Sequence, residues 1–229
     1  RNTTVEANNW EELTFPIPET ESGKWNRIVL FVDFLKTDPG TFYFDDLMFY
    51  TEVVVCGDET AQSLAATDLN LNFATDPGAS LISADGAAYT YAANPDFDNA
   101  VNGSCNVAQI ERGVQATSNN QLLFGTDLDF IANSGFKLKV YSALTAYDVT
   151  LKLEDAGGVS TEVTQTTTVG TNEWEELTFD FPDSESGKYN KVLVYFDRGT
   201  TTTGTYYFDD LMLYDDGVGP DGELLPNRG

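Results

Sequence analysis

Hydrophobic and polar residues alternate along much of this chain. In residues 136–142, Phe136, Leu138 and Val140 share one side, and Lys137, Lys139 and Tyr141 share the other. Val149, Leu151 and Leu153 oppose Thr150, Lys152 and Glu154. Leu177, Phe179 and Phe181 oppose Trp174, Glu176 and Thr178, and Val192, Val194 and Phe196 oppose Leu193, Tyr195 and Asp197. Successive strand residues point to opposite faces, so a period of two predicts half-buried strands. Further strands are predicted over 69–73, 88–92, 106–113, 121–124 and 159–168. Turn sequences separate them: Asp76-Pro77-Gly78, Asp85-Gly86, Asn94-Pro95-Asp96, Asn102-Gly103 and Asp155-Ala156-Gly157-Gly158. Short strands spaced roughly 8–15 residues apart, with no convincing helix, point to an all-β sandwich.

The pattern also recurs. Residues 10–50 (WEELTFPIPETESGKWNRIVLFVDFLKTDPGTFYFDDLMFY) return without a gap as residues 174–214, an offset of 164 residues from Trp10 to Trp174. A repeat of this length is a domain-sized unit. Three domains follow: the C-terminal strands of a preceding sandwich over 1–50, a complete sandwich over 51–214, and a Gly/Pro/Asp-rich linker or tail over 215–229. Residues 10–50 are expected to form three strands, with turns at Ser22-Gly23-Lys24 and Lys36–Gly40. A short apolar strand is expected within 51–60. About 50 residues cannot bury a sandwich core alone. The first segment must therefore pack on the missing first part of its own unit, on another chain, or on the second unit. The first of these is the favoured reading, so the unit is taken as incomplete.

Composition narrows the chemistry. Hydrophobic residues make up 41% of the chain, enough for a real core, and there is no apolar run long enough for membrane insertion. The formal charge is −25, from 37 acidic and 12 basic residues, a surface that repels phosphate backbones and argues against a nucleic-acid partner. There is no histidine, so a Ser-His-Asp or Cys-His site within the chain is excluded. Cys56 and Cys105 are too few for a Cys-only zinc site. Either they pair, closing a loop that contributes about 4 kcal/mol in the chain-entropy model, or they are two separate buried thiols. Pairing is the expected state, and it implies an extracellular or cell-surface location.

If the patterned strands share a sheet, their non-core faces collect Lys139, Tyr141, Lys152, Glu154, Trp174, Glu176 and Tyr195. Flat rings among charged hydrogen-bonding groups suit a sugar, which stacks on aromatics and offers hydroxyls to Lys and Glu. The alternative is that Trp174 and Tyr195 are covered by a loop or a neighbouring unit. Asp209 and Asp210 pose a separate question. They sit mid-strand, where adjacent residues face opposite ways, so one of them faces the apolar side. A carboxylate there needs hydrogen bonds or a metal. With hard oxygen ligands and no histidine, the metal is calcium; the alternative is a carboxylate capping backbone N–H groups at a strand bend. Glycoside hydrolysis needs two carboxylates flanking a cleft. Glu175 and Glu176 diverge as strand neighbours, whereas Glu154 and Glu176 could share a face.

Several stretches occur in a suggestive order: DGAAYTY with Asn94-Pro95, residues 102–109, FKLKVYSA, TTTVGTNEWEELTFDF and YYFDDL. Together they resemble the jelly-roll carbohydrate-binding modules of secreted Bacteroidota proteins. The resemblance covers about residues 69–214, and the tail of such a module in 1–50. It implies a β-sandwich without catalysis, glycan binding on a concave face or at loop tips, and a structural calcium near the first and last strands. By that resemblance Asp209 is a calcium ligand, and Asp76 is the nearest carboxylate following the first strand's Phe73. The expected function is a non-enzymatic, extracellular carbohydrate-binding module in a larger protein. Its partner is a polysaccharide or cell-surface glycan. The alternative is a structural or adhesive tandem unit of a surface fibre, whose partners are neighbouring repeats.

Overall fold

The alternating stretches pair into two antiparallel sheets packed face to face. The computed structural model describes residues 10–13, 15, 24–25, 27–30, 41–48 and 60–217. The chain divides into two units, Arg1–Glu52 and Val53–Gly229. The second contains β1 (Asn70–Leu71), β2 (Ile82–Ala84), β3 (Ala88–Ala93), β4 (Asn106–Arg112), β5 (Asn119–Leu123), β6 (Gly135–Ser142), β7 (Asp148–Glu154), β8 (Ser160–Thr166), β9 (Glu175–Asp180), β10 (Lys191–Phe196) and β11 (Gly204–Tyr214). One sheet has the order β3-β4-β11-β6-β9, with β1 paired to the far half of β11; the other has the order β2-β5-β10-β7-β8. The chain crosses repeatedly between the two sheets, which is jelly-roll winding. Among the described residues there is no α-helix.

The core forms where the alternation predicts it. Phe136, Leu138 and Val140 of β6 meet Val149, Leu151 and Leu153 of β7 and Val192 and Val194 of β10, all buried. Each such side chain contributes about 1.5–3 kcal/mol by leaving water. Aromatic rings fill both ends. Phe196 stacks on Tyr206 at 4.7 Å, and Phe130, Phe136 and Phe181 form a trio within 5.9 Å. Two features differ from the expected strands. The stretch over 69–73 pairs only at Asn70–Leu71, and β2 is an additional short strand held by β5. Leu69, Leu71 and Phe73 alternate with Asn70 and Asn72 and are buried, but only Asn70–Leu71 find ladder partners on β11; β2 has little alternation of its own and exists because β5 offers an edge.

β4 carries a cation on its core side. Arg112 follows Ala108 and Ile110 in the inward row and is buried. Its guanidinium donates only to backbone carbonyls. Nε reaches Phe196 O at 2.6 Å, Nη2 reaches Asp197 O and Thr200 O at 2.9 Å, and Nη1 reaches Gly113 O at 3.0 Å and also Thr202 O. All of these carbonyls but that of Gly113, which follows β4, line the turn from β10 to β11, which carries the chain from one sheet to the other. Asp197, at φ 47°, sits at the bend; its side chain accepts the Asp148 N–H and the Tyr206 hydroxyl.

The described residues of the first unit form no strand. The counterparts of Phe15, Ile28 and Phe44 lie in β9, β10 and β11, whose ladder partners are β4, β5, β6 and β7. The first unit contains no equivalent of those partners, and a strand without a ladder is not stable. Trp10 is 71% exposed where Trp174 is 2% exposed. The turn at Lys36–Gly40, most of the turn at Ser22-Gly23-Lys24, the strand expected within 51–60, and Cys56 lie outside the described residues. Cys105 is disulfide-bonded.

Replacing Arg112 with Met leaves several buried carbonyls without donors, each costing about 1–3 kcal/mol. Arg112→Met is expected to lose roughly 3–5 kcal/mol in all, as broken buried networks do. Urea and thermal unfolding measure it, with Tm falling by about 2–4 °C per kcal/mol for a domain of this size.

Candidate functional site

The outer face of the five-stranded sheet carries a continuous array of polar groups. On β10, Val192, Val194 and Phe196 point into the core, so Lys191, Leu193 and Tyr195 point outward. On β7, Lys152 and Glu154 do the same. Register places Ile82, Gln121, Leu193, Lys152 and Glu162 in one row across all five strands. The next row reads Leu123, Lys191, Glu154, Ser160. Glu154 is clamped between two cations, Lys152 at 2.8 Å and Lys191 at 2.9 Å. Hydrogen bonds from Lys152 and then Lys191 hold its pKa below the usual carboxylate range. Arg198 lies over the Tyr195 ring at 4.9 Å and pairs with Glu162. The ring beneath is buried, and burial raises the phenol's pKa.

The seven residues expected on one face do not share one. Lys152, Glu154 and Tyr195 lie outside the five-stranded sheet. Lys139, Tyr141, Trp174 and Glu176 belong to the other sheet, on the opposite side of the sandwich. Alternation reveals which side of a strand is inward but not which sheet the strand joins. The winding sends β6 and β9 to one sheet and β7 and β10 to the other. Glu154 and Glu176 are therefore separated by the core and cannot flank one bond.

On the six-stranded sheet the outer rings are covered. Tyr141, Trp174 and Val107 form a second buried cluster, with Tyr207 packed against it. Tyr141 lies 5.3 Å from Trp174 and 5.5 Å from Tyr207, ring centre to ring centre. Trp174 Nε1 donates to Asn94 Oδ1 at 3.1 Å, from the loop that follows β3. Of the two readings for Trp174, the covered one holds. Lys139 pairs with Asp210 at 2.6 Å, and Glu176 pairs with Lys137 at 2.7 Å.

Asp209 and Asp210 form a bulge. Asp209 opposes Lys139, yet Met212 opposes Lys137, so β11 carries one extra residue. Asp210 takes φ 48°, and its N–H donates to Asp209 Oδ1 at 2.8 Å. Asp209 is fully buried, and its Oδ2 has no hydrogen-bond partner; nor has the Asn102 amide nitrogen. Burial, and then the charge of Asp210, push the Asp209 pKa up to about 8, with Ser104, the Asp210 N–H and Asn102 acting in the opposite sense. Beside it opens a cavity of about 620 Å³ whose lining includes Asn70, Asn72, Ser104 and Asp210 together with the apolar Met212 and Leu213. Among the described residues no three His, Cys, Asp or Glu side chains converge. A hard cation here would rely on Asp209, amides and hydroxyls. Asp76 belongs elsewhere: it accepts the Gly78 N–H and the Tyr89 hydroxyl, each at 2.8 Å, at an exposed turn.

Four residues of this site went unnoticed in the sequence. Lys191 has the parity of Leu193 and Tyr195 but precedes the expected strand. Gln121 alternates with Leu122 in a stretch with little apolar contrast. Arg198 and Glu162 meet only through the fold.

The raised Asp209 pKa has a definite sign. Between pH 4 and 8 the folded state holds a proton that the unfolded state has released, so stability falls as pH rises through that window. In chelator, thermal melts across pH 4–8 are expected to show this fall, and Asp209→Asn is expected to flatten it.

No protein-family model matches the chain, and no curated protein matches it. Among solved structures, an arabinose-bound α-L-arabinofuranosidase is similar with a TM-score of 0.51 and 14% identity, over 63% of this chain and 26% of that one. The CBM22-1 and GH10 modules of xylanase 10B from Clostridium thermocellum, complexed with xylohexaose, give 0.48 and 12%, over 66% of this chain and 29% of that one. The C-terminal family 22 carbohydrate-binding module of that xylanase gives 0.46 and 19%, over 65% and 93%. This chain thus spans under a third of the length of the first two. The arabinofuranosidase match shows a shared fold, and the chain is an all-β jelly-roll sandwich.

Proposed function

We propose that this chain is a non-catalytic carbohydrate-binding module that holds a polysaccharide on the outer face of its five-stranded sheet. The observation that carries this reading is the pair of rows through Gln121, Lys152, Glu162, Lys191 and Glu154, with Tyr195 and Arg198 beside them. Hydroxyl-bearing ligands need donors and acceptors fixed in place. Glu154 is fixed by two lysines. A pyranose either displaces Arg198 from the Tyr195 ring or stacks on the guanidinium plane. The resemblance carried by FKLKVYSA, TTTVGTNEWEELTFDF and YYFDDL supports the same class.

The setting proposed is extracellular, within a larger protein. The disulfide at Cys105 supports it, since such bonds persist in oxidising compartments; Cys56 is its proposed partner. No described helix is long and apolar enough to cross a membrane. Calcium is the proposed structural ion, held by Asp209 with Asn102 and Ser104. Its charge would let the buried carboxylate stay ionised. Added calcium is then expected to oppose the alkaline fall in stability of the native chain and to leave Asp209→Asn unchanged.

Affinity gels containing xylan, mannan or β-glucan test the binding. Retardation is expected on at least one. Tyr195→Ala and Lys152→Ala are expected to weaken it by about tenfold or more, roughly 1.4 kcal/mol. Glu176→Ala, on the opposite face, is expected to have no effect. No retardation on any gel, or equal loss in Glu176→Ala, removes this reading. The adhesive tandem-unit reading, with neighbouring repeats as partners, is favoured by one observation: the exposed apolar side chains of the first unit.

A further inference from the structure

The outer face of the five-stranded sheet changes character from one edge to the other. On β7 and β8 every outward residue is polar. On β2 and β5 two large aliphatic side chains point outward instead: Ile82 is 45% exposed and Leu123 is 61% exposed. Neither belongs to the core, whose share of β5 is Leu122. Leu193, in the row of Ile82, continues the apolar strip onto β10. Folding gains little from Ile82 and Leu123 as they stand, because both keep much of their contact with water.

Each of the two sits directly opposite an N–H donor. Ile82 pairs with Gln121, and Leu123 pairs with Lys191. Directly opposed side chains leave the backbone on one face, with Cβ atoms about 4.5–5.5 Å apart. The donors are only partly committed. Gln121 Nε2 donates to Asn119 Oδ1 at 2.9 Å, and Lys191 Nζ donates to Glu154 at 2.9 Å. An amide nitrogen has two N–H groups and an ammonium three, so each keeps a donor for a ligand. A group that satisfies both members of such a pair joins a methyl to an acceptor oxygen. An acyl substituent does so: its methyl lies against the aliphatic chain while its carbonyl accepts from the neighbouring N–H. A bare hydroxyl uses the donor and leaves the Ile or Leu in water. A carboxylate or sulfate also uses only the donor, and it enters the field of a chain with charge −25. The acceptors Glu154 and Glu162 lie on β7 and β8, where they serve the hydroxyls of adjoining sugars.

We propose that the β2–β5 side of this face is an acyl-binding subsite, and that the polysaccharide class it takes carries O-acetyl esters or N-acetyl amides on otherwise neutral sugars. The inference rests on the five-stranded face being the glycan site. One test uses affinity gels holding an acetylated mannan and the same mannan after mild alkaline deacetylation. A second uses calorimetry with chito-oligosaccharides against cello-oligosaccharides, which carry a hydroxyl in place of the acetamide. The full chain is expected to prefer the acetylated member of at least one pair, by about fourfold for each methyl group buried. A preference within the mannan pair assigns esters, and one within the oligosaccharide pair assigns amides. Ile82→Ser combined with Leu123→Ser is expected to abolish the preference. Its thermal transition is expected to match that of the unsubstituted chain, since neither residue is in the core. Binding without preference, a preference for the unacetylated member, or a preference that survives in the double variant overturns the acyl subsite and leaves the reading of the face standing. No binding to any of these ligands, nor to xylan or β-glucan, overturns both.

Discussion

A guanidinium with only carbonyls for company holds this sandwich closed at one end. Arg112 is one of 12 cations in a chain with 37 carboxylates, yet the acceptors its side chain meets are backbone oxygens. The turn from β10 to β11 must pass from one sheet to the other, and its carbonyls face inward as it does so. Buried carbonyls need donors, and Arg112 supplies several from one residue. The position of β11 depends on that turn. β11 in turn sits between β4 and β6, supports β1 and carries the paired aspartates. Most of the six-stranded sheet is therefore organised through a charge that the core would otherwise exclude.

Strand existence and inward faces were legible because they depend on nearest neighbours in sequence. Leu138, Leu151 and Val194 declare their side through residues one and two positions away. What stayed illegible depends on distant partners. Trp174 is covered by a bond to Asn94, 80 residues away. The division of Lys139 and Lys152 between opposite faces follows from the winding, which no local pattern records. β2 exists because β5 offers an edge. The strands expected in residues 10–50 have the right alternation, yet none forms among the described residues there. Arg112 left a readable signal: its parity with Ala108 and Ile110 places it inside.

The two outer faces divide the labour. On one, the loop after β3 covers the aromatic rings, which serve as a second small core. On the other, Glu154 is ordered by two lysines and Glu162 by Arg198. Across the repeat, the inward positions stay apolar and the aspartate pair persists, while Tyr195 and Arg198 are replaced by Phe31 and Phe34.

The aspartate bulge has a consequence for how a long strand can be read. Tyr206 and Phe208 point inward at even positions, but Leu211 and Leu213 point inward at odd ones. The extra residue is a phase shift written into the backbone. Because Asp45 and Asp46 take the same local shape although no described residue of the first unit lies in a strand, the shift is encoded in the dipeptide and its immediate surroundings. A strand of eleven residues thus behaves as two short strands of opposite parity joined in one line. Straightening the bulge with both aspartates kept would turn the second half inside out, taking the docking edge of β1 with it, whereas deleting one aspartate would leave a regular strand with Leu211 and Leu213 still inward.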